Sequence, residues 1–206
     1  MKVLLINGSP HEKGCTYTAL SLIAGELKAQ GVETEILHIG GQPVGGCIGC
    51  GGCRSGNGCV FGGVVNEAIE KAKTADAFVF GSPVHYASAA GNMASFMDRL
   101  AYAGGKYLAY KPAAICCSAR RAGTTSTLDQ LVKYPQFFHM PLVNGSYWAM
   151  VHGSNPEQVL QDAEGCAVMQ ELGRNMAWLL HCIEAGKAAG IDHPQNPPRP
   201  MTSFIR

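Results

Sequence analysis

The chain has 206 residues, 47% hydrophobic and 15% charged, with a formal net charge of +1 at pH 7. That length suits one domain able to bury roughly 70% of its unfolded surface, and the near-neutral balance gives no electrostatic basis for binding nucleic acid or an anionic membrane. No apolar run approaches the ~18 residues needed to span a bilayer, and the opening MKVLLINGSP is too briefly apolar for a signal-peptide core. The expected location is therefore the cytoplasm, where thiols stay reduced, and nine cysteines, an odd number, fit a disulfide framework poorly.

Lys2 to Asn7 reads as a buried strand ended by Gly8-Ser9-Pro10, and Thr16 to Gln30 as a helix with Leu20, Ile23 and Leu27 on one face and Gly31 as its stop. Glu33 to Ile39 alternates like a second strand. The segment 40–63 carries 11 glycines and cannot be regular structure. A short helix is expected over Val64–Lys73, a strand over Ala77–Phe80 ending at Gly81-Ser82-Pro83, and an amphipathic helix over Gly91–Ala103 with Met93, Phe96, Met97 and Leu100 inward. Pro112–Ser118 gives a fourth strand, Thr125–Lys133 a short helix, and the region around Leu142–Met150 a fifth strand. The last helix starts at an Asn155 cap with Pro156 in its first turn and presents Val168, Leu172, Met176, Leu179, Leu180 and Ile183. The proline-rich tail 191–206 reads as extended. Strand and helix alternate five times without a linker or repeat. The expected fold is a single α/β domain over 1–206, a doubly wound five-stranded parallel sheet of order 2-1-3-4-5 with helices on both faces. Ligands of such sheets bind at the carboxyl ends of the strands.

The loop after strand one, GSPHEKGCT, runs directly into a helix whose first-turn N–H groups favour an anion. It matches neither the dinucleotide nor the triphosphate fingerprint. A phosphate monoester fits what remains, and an ordinary strand-to-helix turn is the competing account. Ser82 to Ala90 offers small residues, Tyr86 and His85, suited to a flat ring or to a surface turn. The loop SARRAGTTSTLDQ after strand four carries Arg120 and Arg121, either anion-binding or a solvated pair at an oligomer contact. Cys47, Cys50, Cys53 and Cys59 have the spacing C-x2-C-x2-C-x5-C, which is closer to ferredoxin ligation than to paired zinc knuckles. A cluster, zinc and reduced thiols without metal all remain open on the residues alone. Arg54 is the one cation the local sequence places beside them. Asp98-Arg99 reads as structural packing or an inter-subunit ion pair, and Cys116, Cys117, Cys166 and Cys182 as small core hydrophobes. No Ser-His-Asp set is visible, so no catalytic side chain is assigned.

GSPHEKGCT and GSPVHYASAAGNMASFMDR (81–99) resemble the two signatures of the flavodoxin-like NADPH-dependent FMN reductases, and the resemblance covers nearly the whole chain. It implies that Ser9, His11, Cys15 and Thr16 hold the FMN phosphate, that Pro83, Val84, His85 and Tyr86 line the isoalloxazine ring, and that Ser118, Ala119, Arg120 and Gly123 meet its pyrimidine edge. His11 and Cys15 depart from the arginine and Asn or Ser usual in that family. The cysteine spacing resembles the iron-sulfur flavoprotein branch, which implies a 4Fe–4S cluster on Cys47, Cys50, Cys53 and Cys59. The implied protein is an FMN-dependent oxidoreductase taking electrons from NAD(P)H and passing them to a small-molecule or protein acceptor, as a homodimer or homotetramer. Two other expectations are kept: an electron carrier relaying between protein partners through FMN and cluster, and a redox-sensing cysteine-loop module.

Overall fold

The computed structural model describes residues 1–202; positions 203–206 of the predicted tail lie outside them. The chain runs β1 (Lys2–Asn7), α1 (Cys15–Ala29), β2 (Glu33–His38), α2 (Val64–Thr74), β3 (Ala77–His85), β4 (Ser88–Ala89), α3 (Gly91–Gly104), β5 (Ala113–Ala119), α4 (Thr124–Phe137), β6 (Met150–His152), α5 (Pro156–Val159) and α6 (Ala163–Ala188). Five strands pair in parallel in the order β2-β1-β3-β5-β6, the order expected from the alternation, and β4 adds a short antiparallel hairpin on β3.

Period-two alternation divides each central strand between two cores. Val3 and Leu5 join Leu20, Ile23, Leu27, Met169, Leu172 and Met176 of α1 and α6 on one face. Leu4 and Ile6 join Phe78, Phe80, Met93, Phe96, Met97 and Leu100 on the other, under α2, α3 and α4. At the sheet edge Glu35 accepts from Lys2 at 2.7 Å and from Lys71 of α2 at 2.6 Å. These two ammonium groups hold its carboxyl below the ordinary glutamate range.

Four expectations are corrected. Gly81-Ser82-Pro83 does not end β3. These residues pair with Cys116, Cys117 and Ser118, and the turn comes later, at Tyr86-Ala87. The fifth strand is only Met150–His152, with a lone bridge from Leu142 to Ala113. Between them Ser146 is drawn off the sheet by Glu171 of α6, which accepts from its N–H at 2.8 Å and its hydroxyl at 2.6 Å. The final helix is broken: Asn155 caps α5 as expected, but Asp162 caps a second helix by accepting from the Gly165 N–H at 2.9 Å. Cys182 is exposed rather than a core residue, and Cys166 is half-buried. Cys116 and Cys117 are buried, which pushes the Cys117 thiol up to about 12 and the Cys116 thiol higher. The tail folds back on its own chain, with the His193 ring stacked 4.5 Å from Tyr110 and Asn196 donating to the Tyr110 hydroxyl at 2.6 Å. No helix among the described residues is long and apolar enough to cross a membrane.

Candidate functional site

The carboxyl ends of β1, β3 and β5 bring three loops together. Asn7, fully buried, organises the first: its carboxamide oxygen accepts from the Ser9 N–H at 3.1 Å and its Nδ2 donates to the Glu12 carbonyl at 2.9 Å. The Ser9 hydroxyl accepts from the His11 N–H at 3.1 Å, and the His38 ring meets the Ser9 carbonyl at 2.8 Å. A Cβ on Gly40 would lie 1.9 Å from that same carbonyl oxygen, so only glycine lets β2's exit pass behind the Ser9 loop. Helix α1 then opens at Cys15 with no side-chain cap, leaving its first-turn N–H groups directed into the loop.

Of the predicted phosphate residues, Ser9 and Thr16 are buried, Cys15 is half-buried and His11 is exposed. The Thr16 hydroxyl shares a hydrogen bond with that of Ser118, 2.8 Å away on β5, which ties the start of α1 to the third strand end. The Cys15 thiol donates to the Gly153 carbonyl at 3.5 Å, and burial pushes its pKa up, which keeps it neutral. The second loop is a two-residue hairpin whose residues Tyr86 (φ 48) and Ala87 (φ 58) both lie in the left-handed region, where neither side chain is comfortable. Gln130 of α4 braces its far strand, its carboxamide oxygen accepting from Ser88 Oγ at 2.6 Å and from the Ala89 N–H at 2.9 Å. Tyr86 is fully exposed at the tip, His85 is exposed, and Pro83 and Val84 are half-buried beneath them. The third loop touches the second: Ser126 donates to the Ala87 carbonyl at 2.7 Å, and Gly123 (φ 90) sits where a Cβ would be 2.6 Å from the Ala87 Cα. Ala119 is buried, while Arg120 and Arg121 are exposed and form no salt bridge among the described residues. The twelve predicted cofactor residues lie on these three loops or on the strand and helix ends that flank them.

The cysteine loop leaves β2 next to this crevice. Cys47, Cys50, Cys53 and Cys59 all line one 290 Å³ cavity, with Arg54, Phe61, Arg99 and Tyr102 completing its wall. Larger cavities lie elsewhere, including one of 640 Å³ against Tyr110, Lys111 and the tail, and none of them includes a predicted cofactor residue. Among the described residues no set of three or more His, Cys, Asp or Glu side chains is arranged to hold a metal ion as it stands. Donor chemistry nonetheless fits a metal-sulfur group: four thiols around one space, and a guanidinium against one of them. Arg99, only 6% exposed, donates Nε–H to the Cys59 sulfur at 3.2 Å. Asp98, its sequence neighbour, instead accepts from the Tyr134 hydroxyl at 2.6 Å, so Asp98-Arg99 is no ion pair within the chain. The exposed Arg54, predicted as the nearby cation, is not the one on the sulfur. Asn66 of α2 grips the Cys59 backbone at both N–H (2.8 Å) and carbonyl (3.0 Å), and Asn92 of α3 grips Val44 and Gln42 at 3.1 Å each. Sequence reasoning passed over these anchors. The seven-residue interval between Asn92 and Arg99, which places them on one helix face, was the available signal.

A parallel sheet in the order β2-β1-β3-β5-β6 with its open loops at the carboxyl ends defines a flavodoxin-like protein. An archaeal flavodoxin superposes with a TM-score of 0.58 at 14% identity, covering 88% of this chain and 99% of its own. RosB, solved with a formylated riboflavin phosphate intermediate, superposes with a TM-score of 0.71 at 13% identity, covering 100% and 94%. Likenesses at such identities show the fold. Residues 1–155 match the family described as NADPH-dependent FMN reductase, and the chain is 27% identical over 192 residues to an iron-sulfur flavoprotein of Methanocaldococcus jannaschii, covering 89% of this chain and 100% of that one. The chain belongs to the NADPH-dependent FMN reductase family, in its iron-sulfur flavoprotein branch. It is an FMN-dependent oxidoreductase.

Proposed function

We propose that this oxidoreductase takes electrons from NAD(P)H at an FMN held in the crevice and delivers them to a separate acceptor, with a 4Fe–4S cluster on Cys47, Cys50, Cys53 and Cys59 as a second redox group. The observation that carries the reading is the juxtaposition of an uncapped helix N-terminus and two braced ring-side loops with a cavity lined by four thiols. Bound FMN supplies two-electron acceptance and one-electron release, and a cluster supplies a one-electron relay.

The chain's own groups have definable tasks. The N–H groups of Cys15 and Thr16 and the Ser9 hydroxyl would receive the phosphate, with His11 beside them at the solvent edge. Pro83, Val84 and His85 would wall the ring, and Tyr86, held on its strained hairpin, would cover it. Ser118, Ala119 and Gly123 would address the polar edge. Arg120 and Arg121 are free to meet the phosphates of an incoming nicotinamide nucleotide.

One observation favours the electron-carrier reading instead: Ile48, Val60, Phe61 and Tyr102 are exposed around the thiol cavity and would suit a docked protein partner. Anaerobic purification, an absorption spectrum and stopped-flow mixing separate the two. Flavin bands with a broad dithionite-bleachable shoulder, followed by bleaching on mixing with NADH or NADPH, are expected. Bleaching by reduced ferredoxin alone would transfer the assignment to the carrier, and protein that neither retains nor takes up FMN would defeat both. The same preparation run on a sizing column tests the proposed homodimer or homotetramer.

A further inference from the structure

We propose that Arg99 is the positioning residue of the four-cysteine site: it latches the whole loop to α3 and supplies the positive charge that four thiolates around a metal-sulfur core require. The charge half of this rests on the cluster reading above; the latch half does not.

A guanidinium is permanently charged and offers a rigid fork of donors. In Arg99 three of its nitrogens serve three separate points of one loop: Nε the Cys59 sulfur at 3.2 Å, NH2 the Gly62 carbonyl at 2.9 Å, and NH1 the Gly45 carbonyl at 3.4 Å. Gly45 precedes the first cysteine and Gly62 follows the last, so one side chain closes the loop at its base. The Phe61 ring lies 5.6 Å from the guanidinium carbon and seals it further. Among the described residues Arg99 forms no salt bridge with an Asp or Glu.

Burying a cation is strongly unfavourable unless an anion or several acceptors compensate. Here the compensation consists of two carbonyls and a sulfur, with no carboxylate, and the adjacent Asp98 is engaged by Tyr134. The arrangement closes electrostatically when the sulfurs carry negative charge, as they do in metal-thiolate ligation. Conversely, a 4Fe–4S core in its 2+ state with four thiolates would be a dianion, and Arg99 is the buried cation already on one of the four sulfurs. Hydrogen bonds to cluster sulfurs and nearby positive charge both ease reduction. A lysine would keep the charge but could not serve three separated acceptors.

The test uses full-length wild type, Arg99→Gln and Arg99→Lys, each checked by far-UV circular dichroism; if the glutamine variant does not fold, Arg99→Lys carries the latch measurement and Arg99→Met, uncharged but of similar length, carries the charge measurement. In apo protein, hydrogen–deuterium exchange over 45–62 is expected to rise by roughly tenfold or more in both variants, because hydrogen bonds to a charged donor are lost, while peptides from β1 and β3 stay unchanged. Wild-type exchange in that segment overturns the latch. After anaerobic reconstitution with iron and sulfide, Arg99→Gln is expected to retain less iron per chain and to show a more negative midpoint potential. Arg99→Lys should recover the potential but not the exchange protection. Equal potentials in all three proteins overturn the charge role. Wild type that binds no iron removes the cluster reading and the charge role with it, and the exchange measurement still decides the latch.

Discussion

Replacing Gly40 by alanine should damage flavin binding although Gly40 itself is not assigned to the flavin. Its Cβ would stand 1.9 Å from the Ser9 carbonyl oxygen, 2.4 Å from the Ser9 carbonyl carbon and 2.9 Å from the Pro10 nitrogen. All three are backbone, so no side chain can swing aside. Restoring even a 3.0 Å contact displaces the Ser9-Pro10 backbone or the β2 exit by about 1.1 Å. Overpacking of this kind costs about 1–3 kcal/mol, or roughly 2–12 °C in Tm at about 2–4 °C per kcal/mol for a chain of this size. The displaced loop would also lose its proposed grip on the phosphate. One charge-assisted hydrogen bond at about 1.5–3 kcal/mol corresponds to roughly a 10- to 150-fold weaker FMN Kd. Fluorescence-quench titration of apo protein with FMN and a thermal melt measure the two quantities. Gly41→Ala is the matched control, because its Cβ would meet only the edge of the His38 ring at 3.4 Å. Gly40→Ala protein that melts and binds FMN as wild type does would refute both the steric argument and the placement of the phosphate.

Two further outcomes follow from the geometry. Ala87→Gly relieves a left-handed alanine (φ 58) worth about 1–2 kcal/mol against about 0.4–1 kcal/mol of added unfolded-state entropy, so the variant should melt higher by a degree or more; an unchanged or lower midpoint removes strain from the hairpin. Glu35 is held below its ordinary range by Lys2 and Lys71; its stabilising share is present above an unfolded value of about 4.3 and is lost as pH falls through the lower folded value. Glu35→Gln should therefore be less stable than wild type at pH 7 and indistinguishable from it near pH 2 in urea titrations, and a difference that persists in acid would contradict the linkage.

The sheet was legible because its signals are local. Three short apolar runs bounded by glycine, proline or a charged edge define β1, β3 and β5, alternation marks β2, and right-handed crossover of parallel strands orders them. Where the reading failed, a distant partner had intervened. Gly81-Ser82-Pro83 has the composition of a turn, yet the ladder with Cys116–Ser118 holds it extended. A strand was expected around Leu142–Met150, yet Asn144-Gly145-Ser146 interrupts it with turn residues and Glu171, 25 positions beyond Ser146, holds them off the sheet. The loops proposed for the cofactor were picked out by their motifs, whereas their supports Asn7, His38 and Gly40 carry no motif and act through backbone contacts. Arg99 was seen only as half of a charged pair with Asp98. Its acceptors lie 37 to 54 residues earlier in the chain, too far for local pattern to join them.

Helix α3 begins at the crevice and ends at the thiols. The Ala90 N–H just before it donates to Ser82 Oγ at 3.1 Å beneath the ring-side hairpin, and Arg99 grips the cysteine loop two turns later. Eight residues of helix make a stiff rod of about 12 Å between the two grips. On the proposed assignment the helix would act as a spacer gauge, fixing the gap an electron must cross between the two redox groups. Adding one residue within that rod would swing the guanidinium about 100° around the axis, so length and phase there are set together and evolution can adjust neither alone.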